Sequence, residues 1–331
     1  MKVMTTRIAY ILILFFIVFV GAANAGCSGS SPTWTCTPDY TSIDNLINHD
    51  TPVGFTRGDT VNVSAGDGTE TWSSTLPLTE GFHLSGPGSG SLTITVNNSP
   101  GIEIDADSAT ISAEEPFEIS DFTFDGNSAS VVAIDLVPNN GPDLPVLKIH
   151  DNIFSDFNDK CISYDGVAKG VVYSNTFDTN SYAWRYLGGN STTWNNMDYY
   201  NYGTDEVLFC EDNTLTDIVD VAHSGGHSTR VVIRFNSYSV SKEGGLYPLV
   251  DFHGNQTSGV CATMGAEFYK NTITGEETET EYSLKVDMRG GRIMNWGNEG
   301  TESNYYTVVR NEFCNDQEGT CPRDNDTQTF E

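Results

Sequence analysis

The chain has 331 residues and is strongly acidic, with 45 Asp and Glu against 16 Lys and Arg and a formal net charge of −29. This charge argues against a nucleic-acid partner, because nucleic acids select basic surfaces, and it disfavours polyanionic sugars unless a cation bridges the two. Seven cysteines are too few for a disulfide scaffold, and none of their spacings is that of a zinc finger.

The first 25 residues have the organisation of a secretory signal peptide. Lys2 and Arg7 give a positive start, residues 8–20 are an unbroken apolar run, and residues 23–25 (Ala-Asn-Ala) form a small-x-small cleavage site. The apolar run is short for a membrane span, which needs about 20 apolar residues, and no later segment could cross a bilayer. We therefore expect a secreted or extracytoplasmic protein. Lipid anchoring at Cys27 is the alternative, and the Asn of the cleavage site disfavours it.

Residues 26–57 are predicted to form an N-terminal cap on the domain that follows. Residues 41–48 favour a short helix, which would cover an open sheet edge. Cys27 and Cys36 are close enough in sequence to form a local disulfide that staples this end. The other cysteines are a second local pair near the opposite end and an odd set of three: Cys314 and Cys321, and Cys161, Cys210 and Cys261.

A repeated pattern, apolar–x–x–Asn–x–apolar, runs through the second half of the chain. Two of the gaps between successive Asn residues are 23 residues long, and the longer gaps fit the same unit with an inserted loop. Stacked Asn side chains at a turn can hydrogen-bond to the coils above and below. The repeat predicts one elongated β-helix over residues 58–325, followed by a polar tail at 326–331. The repeated residues are Asn152, Asn175, Asn213, Asn236, Asn271 and Asn311.

A second strand lies between consecutive Asn residues and ends in Gly in five successive units, which can be aligned on that Gly. Side chains alternate between the two faces of a strand, and all five strands share one phase. The column predicted to face the interior is Ile162, Tyr164, Trp184, Tyr186, Val221, His223, Val250, Phe252, Val286 and Met288. The column predicted to face outward is Ser163, Asp165, Arg185, Leu187, Ala222, Ser224, Asp251, His253, Asp287 and Arg289.

Four segments of the N-terminal third follow one another in a characteristic order: a helix at 41–48, a strand and turn at 58–66, and further strands at 72–76 and 84–90. In this order they resemble the opening of secreted bacterial proteins of the pectate-lyase-like superfamily. The resemblance implies an all-β, right-handed parallel β-helix with an N-terminal capping helix. It implies little about chemistry, because this fold carries lyases, hydrolases, tailspikes and adhesins.

Extra residues emerge from one corner of several coils and carry aromatic rings. The distance from the Gly to the next Asn is 9 or 11 residues in two units, but 25, 17 and 21 in three others. Long insertions on one face of a repeat often form its binding side, and an aromatic ring suits the apolar face of a sugar. The alternative is that these rings pack the loops onto the barrel. The predicted polysaccharide-binding residues are Arg185, Trp194, Tyr199, Tyr200 and Trp296.

The outward column holds the candidate catalytic residues Asp251, His253, Asp287 and Arg289. The two Asp residues are aligned neighbours that can act as acid and base in glycoside cleavage, or share a calcium ion. Alternatively, Arg289 or His253 takes the C5 proton of a uronic acid, the chemistry that the family resemblance implies, while the Asp residues hold calcium. The structural alternative is a ladder of charges that stabilises the coils by at most about 1 kcal/mol per pair.

The sequence therefore predicts a secreted β-helix protein that binds a polysaccharide or cell-surface glycan, and in the stronger hypothesis cleaves it as a lyase or glycoside hydrolase. The alternative is a non-catalytic surface, adhesive or structural protein. No cofactor is required by the sequence, calcium is a candidate ligand, and the oligomeric state is left open.

Overall fold

The structure is a computed structural model that describes residues 26–105, 115–137, 145–165, 168–187, 207–218, 220–226, 229–240, 249–253, 263, 265–275, 285–289, 293–300, 306–309 and 328–330. Several sequence predictions concern residues or side chains outside this description. They are the signal peptide at 1–25, the loop residues Trp194, Tyr199 and Tyr200, the repeat residue Asn311, the cysteines Cys261, Cys314 and Cys321, and the side chains of Asp165 and Leu187.

The described chain winds through three parallel sheets, which we call A, B and C, placing one strand in each sheet per coil. Sheet A contains β1 (Cys27–Ser30), β2 (Thr33–Cys36), β3 (Thr60–Val63), β6 (His83–Ser85), β9 (Phe117–Ser120), β12 (Val146–His150), β15 (Lys169–Tyr173), β18 (Leu208–Glu211), β21 (Arg230–Arg234), β24 (Gly265–Tyr269) and β27 (Ile293–Trp296).

The strands of the other two sheets follow in the same rotation. Sheet B contains β4 (Thr69–Trp72), β7 (Thr93–Val96), β10 (Thr123–Asp125), β13 (Ile153–Ser155), β16 (Thr176–Asp178), β19 (Thr214–Thr216), β22 (Ser237–Val240), β25 (Thr272–Gly275) and β28 (Glu299–Gly300). Sheet C contains β5 (Leu76–Leu78), β8 (Ile102–Ile104), β11 (Ile134–Leu136), β14 (Lys160–Asp165), β17 (Tyr182–Leu187), β20 (Val221–Gly226), β23 (Val250–Phe252), β26 (Lys285–Met288), β29 (Tyr306–Val309) and β30 (Gln328–Phe330).

Each strand from β3 onward pairs in parallel with the strand three places later, up to β26 with β29. Parallel neighbours joined by crossovers take the right-handed course in nearly all proteins. The predicted all-β, right-handed parallel β-helix is therefore confirmed.

Stacked apolar side chains fill the interior of the coils. In sheet B the rings of Phe124, Phe154 and Phe177 lie one above another, with centroids 5.4 and 4.9 Å apart. All three are fully buried, and burying each side chain contributes about 2 to 3 kcal/mol before entropy is counted. The chain forms short strands here because its apolar residues alternate with polar ones, so that one face of every strand is apolar.

The predicted inward column of sheet C is confirmed, since all ten of its side chains have exposed fractions of 8% or less. The alignment on the final Gly is wrong in one rung. His223 pairs with Trp184 and Val250, and Gly225 takes the place beside Tyr186 and Phe252. A Cβ at Gly225 would meet the Phe252 ring at 2.7 Å, so this position favours Gly. A shift of two residues keeps every side chain on its face.

The Asn ladder is confirmed from Asn152 to Asn271. In each step the backbone N–H and the side-chain Nδ2 of one Asn donate to the Oδ1 of the Asn one coil later, over 2.9 to 3.1 Å. The ladder then continues to Asn298, which accepts both bonds from Asn271 at 2.9 Å. The repeat pattern did not include Asn298, because Asn295 and Gly300 stand where the pattern requires apolar residues. Residues 293–300, predicted as part of an inserted loop, are strands β27 and β28.

The N-terminal cap contains a helix, α1 (Tyr40–His49), close to the predicted span. Asp39 is its N-cap and accepts a hydrogen bond from the Ser42 N–H at 2.9 Å. Ile43 and Leu46 are fully buried and face the coil, where the helix packs against β5. The helix thus covers the first coil, as predicted for a capping helix.

A hairpin of β1 and β2 lies beside the helix and extends sheet A. Cys27 and Cys36 form the predicted disulfide across it, and β2 pairs in parallel with β3. The buried Asp59 carboxylate accepts hydrogen bonds from Trp34 Nε1 and Ser31 Oγ, both at 2.8 Å. This carboxylate ties the hairpin to the first coil.

At the other end, β30 pairs antiparallel with β29, where the sequence predicts a polar tail. Cys161 and Cys210 are buried thiols, and burial raises the pKa of both. Among the described residues, no helix has the length and apolar character that a bilayer span requires.

Candidate functional site

Three of the four candidate catalytic residues meet on the outer face of sheet C. Arg289 holds Asp251 in a bidentate ion pair, with Nε 2.6 Å from Oδ1 and Nη2 2.6 Å from Oδ2. His253 completes the group, because its Nε2 lies 3.0 Å from Asp251 Oδ2 and its ring contacts Arg289 Nη2 at 2.6 Å. The backbone positions them, since His253 N donates to the Gly225 carbonyl and Arg289 N to the Phe252 carbonyl. We call Asp251, His253 and Arg289 the sheet C charge cluster.

The fourth residue, Asp287, is aligned with Asp251 in the neighbouring strand, as predicted. Arg185 lies in the same outward column but two coils earlier than Asp251, with Ser224 on the coil between them. Because coils repeat every 4.8 Å or so, Arg185 and Asp251 are about 10 Å apart along the sheet. The structure thus brings the acid pair together and sets the predicted substrate-binding arginine at a distance from it.

The structural alternative, a ladder of charges exposed on the outer face, is wrong about exposure, because its two acids are buried. Asp251 is 8% exposed and Asp287 is 4% exposed. The guanidinium and the imidazole cover the Asp251 carboxylate. Ser163 and Ser224 lie on the strands on either side of Arg185, and their side chains are shorter than the Arg185 side chain between them. The buried outward residues are Ser163, Ala222, Ser224, Asp251 and Asp287.

The electrostatics of the cluster restrict its chemistry. Burial works to raise the pKa of Asp251, but the hydrogen bond and charge of His253, together with the charge of Arg289, outweigh burial and hold that pKa below its usual value. Asp251 is therefore ionised at neutral pH and unsuited to be a general acid there. A guanidinium that donates two hydrogen bonds to a carboxylate stays protonated, so Arg289 in this arrangement is not a base.

The ion pair with Arg289 also restricts calcium binding by the predicted ligands Asp251 and Asp287. Calcium binds carboxylate oxygens, and Arg289 already contacts both oxygens of Asp251. Calcium at this position would have to displace the guanidinium.

Trp296, predicted as a loop residue of the binding side, lies in strand β27 of sheet A and not beside the sheet C charge cluster. Its ring stacks on that of Tyr269, with centroids 4.7 Å apart and planes 9° from parallel. Trp296 is 50% exposed, and Phe235 nearby is 41% exposed with its ring edge-on to Tyr269. Sequence reasoning missed Phe235 and Tyr269, although they lie one and two residues before an Asn of the repeat.

Basic side chains accompany these rings. The Arg234 guanidinium lies 4.8 Å from the Phe209 ring centroid and 5.3 Å from that of Phe235. It also donates to Glu211 Oε2 at 2.6 Å and to the Tyr269 hydroxyl at 3.0 Å. The Lys270 ammonium lies 5.4 Å from the Trp296 centroid. We call this set the sheet A aromatic surface: Phe209, Arg234, Phe235, Tyr269, Lys270 and Trp296.

His223 lies in the core, as predicted, within a chain of hydrogen bonds. Its Nε2 is 2.7 Å from the Tyr238 hydroxyl, and its Nδ1 is 3.3 Å from the Tyr186 hydroxyl, which also contacts Cys210 Sγ at 2.8 Å. Burial lowers the pKa of His223 to about 3, so the imidazole is neutral. These groups satisfy one another inside the coils and have a structural role.

Neither a family model nor a curated protein sequence matches the chain. Among solved structures it is similar to ORF18 of Geobacillus virus E2, at 13% identity and TM-score 0.45, over 83% of this chain and 58% of that one. It is similar to an alginate lyase from Paenibacillus sp. at 12% identity and TM-score 0.45, over 85% of this chain and 98% of that one. It is similar to the Dettilon tailspike protein at 11% identity and TM-score 0.45, over 82% of this chain and 52% of that one. The chain thus spans little more than half the length of the virus E2 protein and of the tailspike.

Proposed function

We propose that this protein is exported and binds a polysaccharide through the sheet A aromatic surface. One observation carries the proposal, namely the half-exposed Trp296 indole stacked on Tyr269 on the outer face of sheet A. A single exposed hydrophobic side chain is common, but contiguous exposed aromatic rings often belong to binding sites, and the exposed Phe235 and Trp296 both contact Tyr269.

The chemistry of the surface suits a sugar. A pyranose ring has an apolar face that packs against an indole, while its hydroxyls accept from cationic donors and donate to carboxylates. Arg234, Lys270 and Glu211 supply both kinds of partner around the rings. In a chain whose net charge is −29, the two cations also provide partners for the carboxylates of an acidic sugar.

Affinity electrophoresis through gels that contain neutral or acidic polysaccharides tests this proposal. We expect at least one polysaccharide to retard the wild type, and Trp296→Ala to weaken binding about tenfold, because aromatic contacts of this kind contribute roughly 1 kcal/mol or more. Met294→Ala is the matched control, since Met294 is 41% exposed on the same strand but has no ring.

Two results would count against binding at this surface. Wild-type protein that migrates unchanged through every gel contradicts it, as does Trp296→Ala protein that is retarded as strongly as the wild type. A Trp296→Ala variant that loses thermal stability and leaves retardation unchanged assigns the ring stack a structural role.

Cleavage is a second candidate, supported by the aligned Asp251 and Asp287 carboxylates. A substrate or calcium ion that displaces Arg289 would free the Asp251 carboxylate on the strand next to Asp287, and glycoside hydrolysis uses a pair of carboxyl groups. Reducing-end and unsaturated-product assays, with and without calcium, test it. Turnover that Asp251→Ala, Asp287→Ala and Arg289→Ala leave unchanged removes these residues from the site, and no turnover on any glycan favours the non-catalytic surface or adhesive alternative.

The Cys27–Cys36 disulfide supports an oxidising, extracytoplasmic location. The sulfur of Cys27 is used in that bond and cannot carry a lipid at the same time. Export of a tagged full-length chain, followed by N-terminal sequencing of the mature protein, tests the proposed cleavage after residue 25.

A further inference from the structure

A second polar cluster lies on the outer face of sheet A, in the N-terminal half of the β-helix. His83, Glu118 and His150 come from β6, β9 and β12, which belong to three successive coils. One donor atom from each lies within 4.8 Å of the others. His150 Nε2 is 3.1 Å and His83 Nε2 is 3.9 Å from the same oxygen, Glu118 Oε1.

These separations are close to those that a metal ion requires. Zinc binds imidazole nitrogen and carboxylate oxygen at about 2.1 Å, so that two ligands of a tetrahedral site lie about 3.4 Å apart. The His150–Glu118 separation is slightly below this value and the His83–Glu118 separation slightly above it. Small side-chain rotations would bring all three donors onto one ion, because the three residues are half-buried rather than packed in the core.

The surroundings of His150 orient its ring for this role. Its Nδ1 lies 2.8 Å from Asp151 Oδ2, and a ring that donates Nδ1–H to a carboxylate presents the lone pair of Nε2 toward Glu118. Tyr173, one coil later, stacks on the ring with centroids 4.8 Å apart and planes 18° from parallel. Carboxylate–histidine–metal chains in proteins have this arrangement.

Two neighbouring groups compete with a metal. Lys148 Nζ lies 3.5 Å from Glu118 Oε2. The other oxygen, Oε1, faces the two histidines and remains available to a metal ion. His83 Nε2 is 2.8 Å from Ser120 Oγ, whose hydroxyl donates to Asp121 at 2.6 Å. Metal binding would therefore exchange the His83–Ser120 hydrogen bond for a coordinate bond.

We propose that His83, Glu118 and His150 bind one divalent transition-metal ion of the Zn²⁺ class. Two imidazoles and one carboxylate suit zinc and its neighbours, whereas calcium and magnesium prefer all-oxygen sites. Three protein ligands leave a fourth position open for water or an incoming ligand. The ion would cross-link three coils and thereby stabilise the N-terminal half of the β-helix. The outward column that holds His150 reaches Arg234 three coils later, about 14 Å away, and Trp296 five coils later, about 24 Å away, so the three proposed ligands lie outside the sheet A aromatic surface but on the same face.

Isothermal titration calorimetry of the chelator-stripped full-length protein with ZnCl₂ tests the proposal. We expect one saturable site that CaCl₂ does not occupy, and a thermal midpoint that rises with zinc. His83→Ala, Glu118→Gln and His150→Ala should each weaken binding by more than Asp151→Asn, which should weaken it about tenfold. His49→Ala is the matched control, because His49 is an exposed histidine 3.5 Å from Asp44 at the end of α1.

Visible absorption of the wild type with Co²⁺ provides a measurement that needs no variant. A four-coordinate site gives intense d–d bands that zinc abolishes. The proposal is overturned if the wild type shows no saturable zinc binding, if cobalt keeps the weak spectrum of the hydrated ion, or if the His83→Ala/His150→Ala double variant, folded by circular dichroism, binds zinc as tightly as the His49→Ala control.

Discussion

Asp251 shows how the function of a residue depends on what covers it. Its position in an outward column was readable from the alternation of the strand, but its ionisation is set by His253 and Arg289, which are far from one another in sequence. A carboxylate that is 8% exposed and paired with a guanidinium contributes to stability only while it is charged.

We predict that Asp251→Asn lowers the free energy of unfolding by about 3 kcal/mol at pH 7, because it leaves the Arg289 charge without its counter-ion. The folded pKa of Asp251 lies below the unfolded value of about 3.9. The contribution is therefore fully present above pH 4 or so, and it is lost as the pH falls through the folded pKa. Urea unfolding of wild type and variant at pH 7, 5, 4 and 3 measures the difference.

Asp67→Asn is the control for this experiment, because Asp67 is exposed in a turn near the cap. We expect little change in stability from it at any of these pH values. A difference between wild type and Asp251→Asn that is equally large at pH 7 and pH 3 would show that the loss comes from packing and not from the ion pair.

At the scale of the structural element, the Asn ladder defines one corner of the β-helix. Each amide lies in a turn, where backbone groups would otherwise be buried without partners. Asn213 accepts from Asn175, donates to Asn236, and also donates to the Val172 carbonyl at 3.0 Å. One side chain thus joins three coils.

We predict that Asn213→Ala lowers the free energy of unfolding by about 3 kcal/mol or more, since it leaves several buried donors and acceptors without partners. Thermal and urea unfolding measure the change. Asn158→Ala is the control, because Asn158 is an exposed amide that donates only to the Ser128 carbonyl among the bonds described for it. Equal losses in the two variants would contradict the importance of the buried ladder.

At the scale of the whole molecule, charge is the dominant feature. A net charge of −29 favours solubility, but the excess carboxylates also repel one another in the folded state. The sheet A aromatic surface and the sheet C charge cluster concentrate some of the few basic residues on two different faces, so each face presents different chemistry to a partner.

We predict that added NaCl raises the thermal midpoint by a few degrees between about 0.02 and 0.5 M, because salt shortens the range of the repulsion between carboxylates. The effect should shrink towards pH 4.2 or so, where the composition of the chain places its isoelectric point and the net charge approaches zero. Differential scanning calorimetry at both pH values measures it. A midpoint that is insensitive to salt at pH 7 would mean that the charges are already neutralised locally.

Local features of the sequence determined the class of fold, the inward column, the ladder from Asn152 to Asn271, the cap helix and the Cys27–Cys36 pair. They could be predicted because the alternation of apolar and polar residues in a strand, and the Asn of each turn, are visible within a few consecutive residues. The shift of two residues at His223 did not disturb this reading, because a strand returns to the same face after two residues.

The tertiary structure alone decided which outward side chains meet. His83, Glu118 and His150 converge only because three coils stack in one register, and Trp296 lies on sheet A because residues 293–300 continue the coil instead of leaving it as a loop. Burial of Asp251 likewise depends on Arg289, 38 residues later. Contacts between coils depend on register and loop length, which are properties of the whole chain that no short pattern contains.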